Sequence, residues 1–189
     1  MDAGLQVFGT LGYRQATVRM LCKQAELTDR YFYESFDTLE DLLVAVYQQQ
    51  FDRLQQAVMQ QLLGAAPDAD LMDTVHAALN TLFDMASQPR VARVCWLEVL
   101  GVSPRVDEAY SRTFNGFADL VTLFARQRFP QWEIDEAEAR AVGLALIGAV
   151  SQTVTQWVLG HYQQDRQVLL AANARVFRGV LATMAAPQS

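Results

Sequence analysis

At 189 residues, 51% of them hydrophobic and 19% charged, the chain is long enough to bury a core and too apolar for wholesale disorder. A formal charge of −6 excludes a protein that coats nucleic acid through general basicity, so any DNA contact must be local. No basic-then-apolar leader opens the sequence, and the longest apolar run, Ala141 to Val150, is about half of what a membrane span needs. A soluble, cytoplasmic protein with no membrane partner is expected.

Nearly every segment repeats at the helical period, which predicts an all-α fold. A first helix is expected over Asp2–Leu11, with Leu5 and Phe8 inward and Gly12 as its stop. The stretch from Ala16 to Phe36, ATVRMLCKQAELTDRYFYESF, then reads as two short helices joined by a tight turn, each opened by a threonine. That is the pattern of a helix-turn-helix. Thr17 suits the cap of the helix that starts at Val18, on which Val18, Leu21, Cys22 and Ala25 share one face and Arg19 and Lys23 the other. Thr28 is expected to cap the second helix. There Phe32 and Phe36 turn inward, while Asp29, Arg30, Tyr31 and Tyr33 are left outward.

Outward tyrosines leave apolar area uncovered unless a partner lies against them. Their rings can pack on sugars or a thymine methyl, and their hydroxyls can donate to phosphate; Arg30 suits guanine or a phosphate. The residues alone also allow a plain helical corner with solvated tyrosines.

Thr38, with Asp41 three positions on, makes a variant capping box for a long helix over 39–63. Its apolar stripe is Leu43, Tyr47, Phe51, Leu54, Val58 and Leu62. Breaks at 64–67, Pro89, Gly101–Pro104, Pro130 and Gly160 divide the remainder into helices near 69–87, 90–100, 105–128, 135–160 and 165–185. The expected organisation is a three-helix helix-turn-helix domain at 1–47, with the motif at 16–36. A long helix joins it to a larger helical ligand-binding and dimerisation domain at 48–189.

In that body, Leu79, Phe83, Trp96, Tyr110, Phe114, Phe117 and Phe124 are the candidates to line a ligand cavity, with core packing as the alternative for each. His76, Glu98, Tyr110 and Gln152 are candidate polar groups, and Glu98 calls for an ion-pair partner in Arg93 or Arg105. The helix near 135–160 is apolar nearly all round, and that near 165–185 repeats the feature. Both point to a homodimer interface of four helices, the alternative being completion of a monomer core.

Signatures of catalysis are missing: the sequence has no HExxH, no phosphate-binding glycine loop and no GxSxG, and only two histidines, His76 and His161. An enzyme is therefore not expected, nor a metal or cofactor. Cys22 and Cys95 fall inside helical patterns and outside any CxxC pair, which predicts structural burial.

Gly12-Tyr13, Ala16-Thr17-Val18-Arg19, Ala25, Leu27-Thr28, Phe32-Tyr33, Phe36 and Leu42-Leu43 together resemble the signature of the tetracycline-repressor (TetR-like) family, over about residues 2–47. The resemblance implies an all-helical homodimeric transcriptional regulator. Thr17 would be a phosphate-contacting cap, Thr28, Arg30 and Tyr31 base or phosphate readers, and Tyr33 a phosphate-contacting tyrosine. The chain departs from that pattern at Glu26, where the family usually has glycine, and at Met20, where an acidic residue would complete a capping box. It departs also at Leu39, where a lysine or arginine is common, and at Arg30, in place of a common glycine. A further basic arm before the first helix is usual in the family, and a missing N-terminal segment carrying several Lys or Arg is expected.

Taken together, these features predict a ligand-responsive regulator of a pseudo-palindromic double-stranded DNA operator, a repressor released by a small apolar or aromatic molecule. The alternative is a ligand-binding or interaction protein of regulator descent with weak or lost DNA binding. Charge favours that alternative: residues 1–47 carry Arg14, Arg19, Lys23 and Arg30 against Asp2, Glu26, Asp29, Glu34, Asp37, Glu40 and Asp41, a net of −3.

Overall fold

The structure, a computed structural model, describes residues 1–64, 66 and 69–185, and the regular structure among them is entirely helical. In chain order the helices are α1 (Asp2–Leu11), α2 (Val18–Ala25), α3 (Asp29–Tyr33), α4 (Leu39–Leu63), α5 (Leu71–Ala86), α6 (Pro89–Ala92), α7 (Pro104–Arg128), α8 (Glu136–Leu159) and α9 (Arg166–Ala185). A 3₁₀ turn, Tyr13–Gln15, follows α1, and a π-helical turn, Arg93–Leu97, continues α6.

Two compact units divide the chain, one of Met1–Arg53 with Met85–Ser111 and one of Leu54–Asp84 with Arg112–Ser189. This differs from a cut between 47 and 48, because α6 and the π turn pack with the N-terminal helices.

In the first unit Phe8 is fully buried, with its ring 5.8 Å from that of Tyr13. Two glycines let helices meet closely: a Cβ on Gly4 would lie 2.9 Å from Val46 Cγ2, and one on Gly9 would lie 2.5 Å from Arg90 Cβ. Leu43, Val46 and Tyr47 of α4 are buried, and a chain of rings runs from Tyr47 to Phe51 (4.8 Å) and on to Trp96 (5.4 Å).

The expected helix at 90–100 is not continuous α. After Ala92 the ladder widens, so that the Glu98 N–H bonds to Arg93 O at 3.0 Å, five residues back. The widening places the Glu98 carboxylate against Arg93, whose Nε donates to it at 2.7 Å; Arg93 is thus the partner the sequence called for. The same carboxylate accepts from Tyr13 N at 2.7 Å, and Arg93 Nη1 donates to Thr10 O at 2.8 Å. Gly12, with φ 91°, leaves room for both side chains, since a Cβ there would come within 2.7 Å of Arg93 Nη2.

The second unit is built from the later part of α4 with α5, α7, α8 and α9. Leu54, Val58 and Leu62 complete the predicted stripe of α4, and all are buried. The break expected at 64–67 falls partly outside the described residues. Beyond it Asp70 opens α5, its Oδ1 accepting from Met72 N (2.8 Å) and Asp73 N (2.9 Å). Gly143 brings α8 against α7, a Cβ there lying 2.9 Å from Ala118 O.

As a formed helix, α8 is long and apolar enough by length and composition to cross a membrane, which the ten-residue apolar run did not reveal. Leu146, Val150, Val154 and Trp157 of α8 are buried within the unit, while Ala141, Ala145 and Leu159 remain exposed.

Candidate nucleic-acid interface and ligand cavity

The Thr17 hydroxyl accepts the N–H of Met20 at 3.3 Å and so starts α2, as its position predicts. Glu26 ends α2 in the left-handed conformation (φ 57°, ψ 37°), the Leu27 N–H closing the turn on Cys22 O at 2.9 Å. A residue other than glycine costs roughly 1–2 kcal/mol there. Thr28 occupies the N-cap position of α3 but makes no side-chain hydrogen bond to the helix, so its hydroxyl does not act as the expected cap.

Phe32, 7% exposed, anchors α3; its ring lies 5.2 Å from Tyr33 and 5.9 Å from Phe36. That anchor turns the remaining side chains outward: Tyr31 is 55% and Tyr33 60% exposed, with Leu27 beside them at 52%. Arg30 stands on the same surface, its Nε donating to Glu34 Oε1 at 2.9 Å. Arg19 and Lys23 are exposed on α2. Asp29 is exposed as well, and burial first, then a hydrogen bond from the thiol to the Asp29 carboxylate, pushes the Cys22 thiol up. The fold exposes all seven predicted DNA-contacting residues, Thr17, Arg19, Thr28, Asp29, Arg30, Tyr31 and Tyr33, on one short motif. Glu34 lies outside the predicted set; its spacing of four from Arg30 is the sequence signal for this pair.

Below this surface Thr38 and Asp41 form the predicted box: Asp41 Oδ2 accepts from Thr38 N (2.8 Å) and Oγ1 (2.7 Å), and Thr38 Oγ1 accepts from Asp41 N at 3.1 Å. Arg105 closes on the other carboxylate oxygen. Those hydrogen bonds, Thr38 first and Arg105 next, hold Asp41 below the ordinary carboxylate range.

In the second unit a cavity of about 60 Å³ lies among α4, α5, α7, α8 and α9, and its lining exposes no polar surface. Of the candidate lining residues, Leu79, Phe117 and Phe124 are on its wall. Phe83, Trp96, Tyr110 and Phe114 are not. Phe83 packs on Trp157 at 5.7 Å, and Trp96 lies on Phe51 in the first unit. None of the candidate polar groups lines the cavity, and Glu98 serves the Arg93 pair. In their place Leu146, Ile147 and Val150 of α8 and Phe177, Leu181 and Met184 of α9, read as dimer-forming, supply much of the wall. No metal-ligand cluster is present among the described residues, and both cysteines are free and buried.

Residues 1–46 match the model of the bacterial regulatory proteins of the tetR family. Over this N-terminal quarter the chain is similar to TetR-family proteins. The TetR-like fold extends across the whole chain. It is similar to the fatty acid degradation regulator FadR of Bacillus halodurans, at 22% identity and a TM-score of 0.79 over 93% of this chain and 90% of that one. FadR of Bacillus subtilis, solved in complex with stearoyl-CoA, aligns at 20% identity and a TM-score of 0.77 over 100% of this chain and 97% of that one. A TetR-family regulator of Streptomyces coelicolor aligns at 16% identity and a TM-score of 0.72, covering 97% and 95%. At these identities the shared property is the fold. No curated protein matches the sequence. The family and these neighbours are transcriptional regulators, not enzymes.

Proposed function

We propose that this chain is a TetR-family, ligand-controlled transcriptional regulator, acting in the cytoplasm as a homodimeric repressor of a pseudo-palindromic operator. The observation that carries the DNA-binding half is the pair Tyr31 and Tyr33, more than half exposed on a helix locked from behind by Phe32. In this reading residues 1–47 form the reading head and 48–189 the responding body. Thr17, Arg19 and Tyr33 grip phosphates, and Thr28, Arg30 and Tyr31 face the major groove.

An uncovered seam supports the dimer. Ala141, Ala145, Gln152 and Leu159 are exposed along α8, as are Val168, Val176 and Gly179 on α9, and a Cβ added at Gly148 or Gly179 meets nothing within 4 Å. Apart from Gln152 these residues are small or apolar and suit close packing of two helix pairs, which would set two recognition helices about 34–36 Å apart.

The effector belongs in the apolar cavity. Its 60 Å³ is far below the roughly 300–1,000 Å³ of a filled ligand pocket, so a ligand would fit only after α4, α7 and α8 part. Such a ligand binds the expanded body better than the closed one, which is the differential affinity that a switch requires. The apolar wall favours an aliphatic or aromatic molecule, and stearoyl-CoA in the Bacillus subtilis neighbour supports a long acyl chain.

Selecting operator DNA from a random pool with the 189-residue chain, then titrating stearoyl-CoA and dodecanoate against the complex, tests both halves. A retained palindrome released by an acyl ligand is expected. The acidic charge of residues 1–47, net −3, favours a second reading, in which the body binds ligand while DNA binding is weak or lost. Ligand binding with no sequence retained from the pool would establish that reading instead.

A further inference from the structure

We propose that Glu34 is a positioning residue for operator readout: it steers Arg30 end-on to a guanine and away from the phosphate backbone. This rests on the DNA-binding reading above and names the base that the recognition helix selects.

The two side chains lie one turn apart on the outward face of the motif, 85% and 51% exposed, joined by the single contact from Arg30 Nε to Glu34 Oε1 at 2.9 Å. With Nε engaged, the guanidinium has its two terminal NH₂ groups for a partner. Guanine presents two acceptors, O6 and N7, side by side in the major groove, and no other base edge offers that pair.

Charge argues for the base against the phosphate. Phosphate affinity comes from releasing counterions by net cationic groups, and an arginine tied to a carboxylate is a neutral pair. Around α3 the acids Asp29 and Glu34 outnumber the one cation, Arg30. A carboxylate beside a phosphate is repelled, whereas beside a base edge it orders the guanidinium and narrows its geometry. Nor does folding account for Glu34 at this site, since an exposed i,i+4 pair contributes little to stability. Next to Tyr31 and Tyr33 the pair has the arrangement of a reading head whose affinity comes from the tyrosines and α2, and whose selectivity comes from Arg30.

The test compares the full chain with Arg30→Ala, Glu34→Ala and Glu34→Gln by selection from a random DNA pool, followed by titration at two salt concentrations. The wild type is expected to retain a guanine at one position of each half-site. Arg30→Ala loses that preference alone, weakening the selected site by roughly tenfold or more with other positions unchanged. Replacing that guanine by 7-deazaguanine, which lacks the N7 acceptor, weakens wild type but not Arg30→Ala. Glu34→Ala broadens the position while binding unrelated DNA more tightly, and Glu34→Gln, which keeps an acceptor for Nε, preserves part of the preference. A uniform loss across sequences in Arg30→Ala, with a salt dependence shallower by about one charge, would identify a phosphate contact and overturn the inference. An unchanged guanine preference in Glu34→Ala would also overturn it. If the wild type retains no sequence at all, the DNA-binding reading falls, and this one with it.

Discussion

The Glu98 carboxylate accepts the backbone N–H of Tyr13 at 2.7 Å, joining positions 85 residues apart in the chain. Its other oxygen holds Arg93, which in turn caps Thr10 O at the end of α1. Glu98→Ala removes a charge-assisted bond and leaves Arg93 unpaired at a half-buried site. It is expected to lower stability by about 2–3 kcal/mol in urea unfolding, and Glu98→Gln by less. An alanine variant as stable as wild type would show that the clamp contributes nothing to the folded state.

Asp41 gives the first unit a defined acid limb. Its folded value lies below the free carboxylate's 3.8, through bonds to Thr38 and then Arg105. A depressed carboxylate contributes stability that is present above the free value and disappears as pH falls through the lower folded one. Unfolding followed between about pH 5 and pH 2 is expected to show this loss in wild type and a flatter profile in Asp41→Asn. Identical acid profiles for the two proteins would remove Asp41 from the account.

Close approach at Gly9 is testable by adding one carbon. A Cβ there would meet Arg90 Cβ at 2.5 Å and Arg90 O at 2.7 Å, backbone that cannot easily yield. Gly9→Ala is expected to destabilise by about 1–3 kcal/mol, despite alanine's better helix propensity. A more stable variant would mean that α1 and α6 can separate freely.

Gly148 makes the opposite case. A Cβ there meets nothing within 4 Å in the single chain, so substitution should spare the fold. Gly148→Leu is expected to leave the monomer folded and to convert a dimer to monomer in sedimentation equilibrium. A dimer of unchanged affinity would move the interface away from α8.

Ala78 lines the apolar cavity, and Ala78→Leu would fill it. Stability is expected to change by less than about 1.5 kcal/mol, while acyl-ligand release of DNA is abolished and operator affinity stays the same. A fully responsive variant would place the effector elsewhere.

Local rules carried most of the secondary structure. The Thr17 cap, the Thr38–Asp41 box and the stripe from Leu43 to Leu62 each follow from residues within a few positions of one another. The left-handed Glu26 was foreseeable only through the family resemblance, which marks that position as glycine. What the sequence hid was non-local. Pairing of 85–111 with the N-terminal helices depends on Gly9 and Gly12 admitting Arg90 and Arg93, and no periodicity records that. The cavity wall was hidden for a related reason. Phe83 and Trp96 pack on other rings, and apolar side chains of α8 and α9 form much of the wall.

The π turn at Arg93–Leu97 carries one residue more than an α-helical turn would. Chain length, not side-chain chemistry, therefore sets the register in which Glu98 meets Tyr13. Deleting any single residue from this turn would restore regular α winding and swing Glu98 by about 100° around the helix, off its two partners. The segment is thus a phase-setting insertion. Every residue of the clamp could be kept intact, and the join between α1 and the segment that follows α6 would still be undone by a change in count alone.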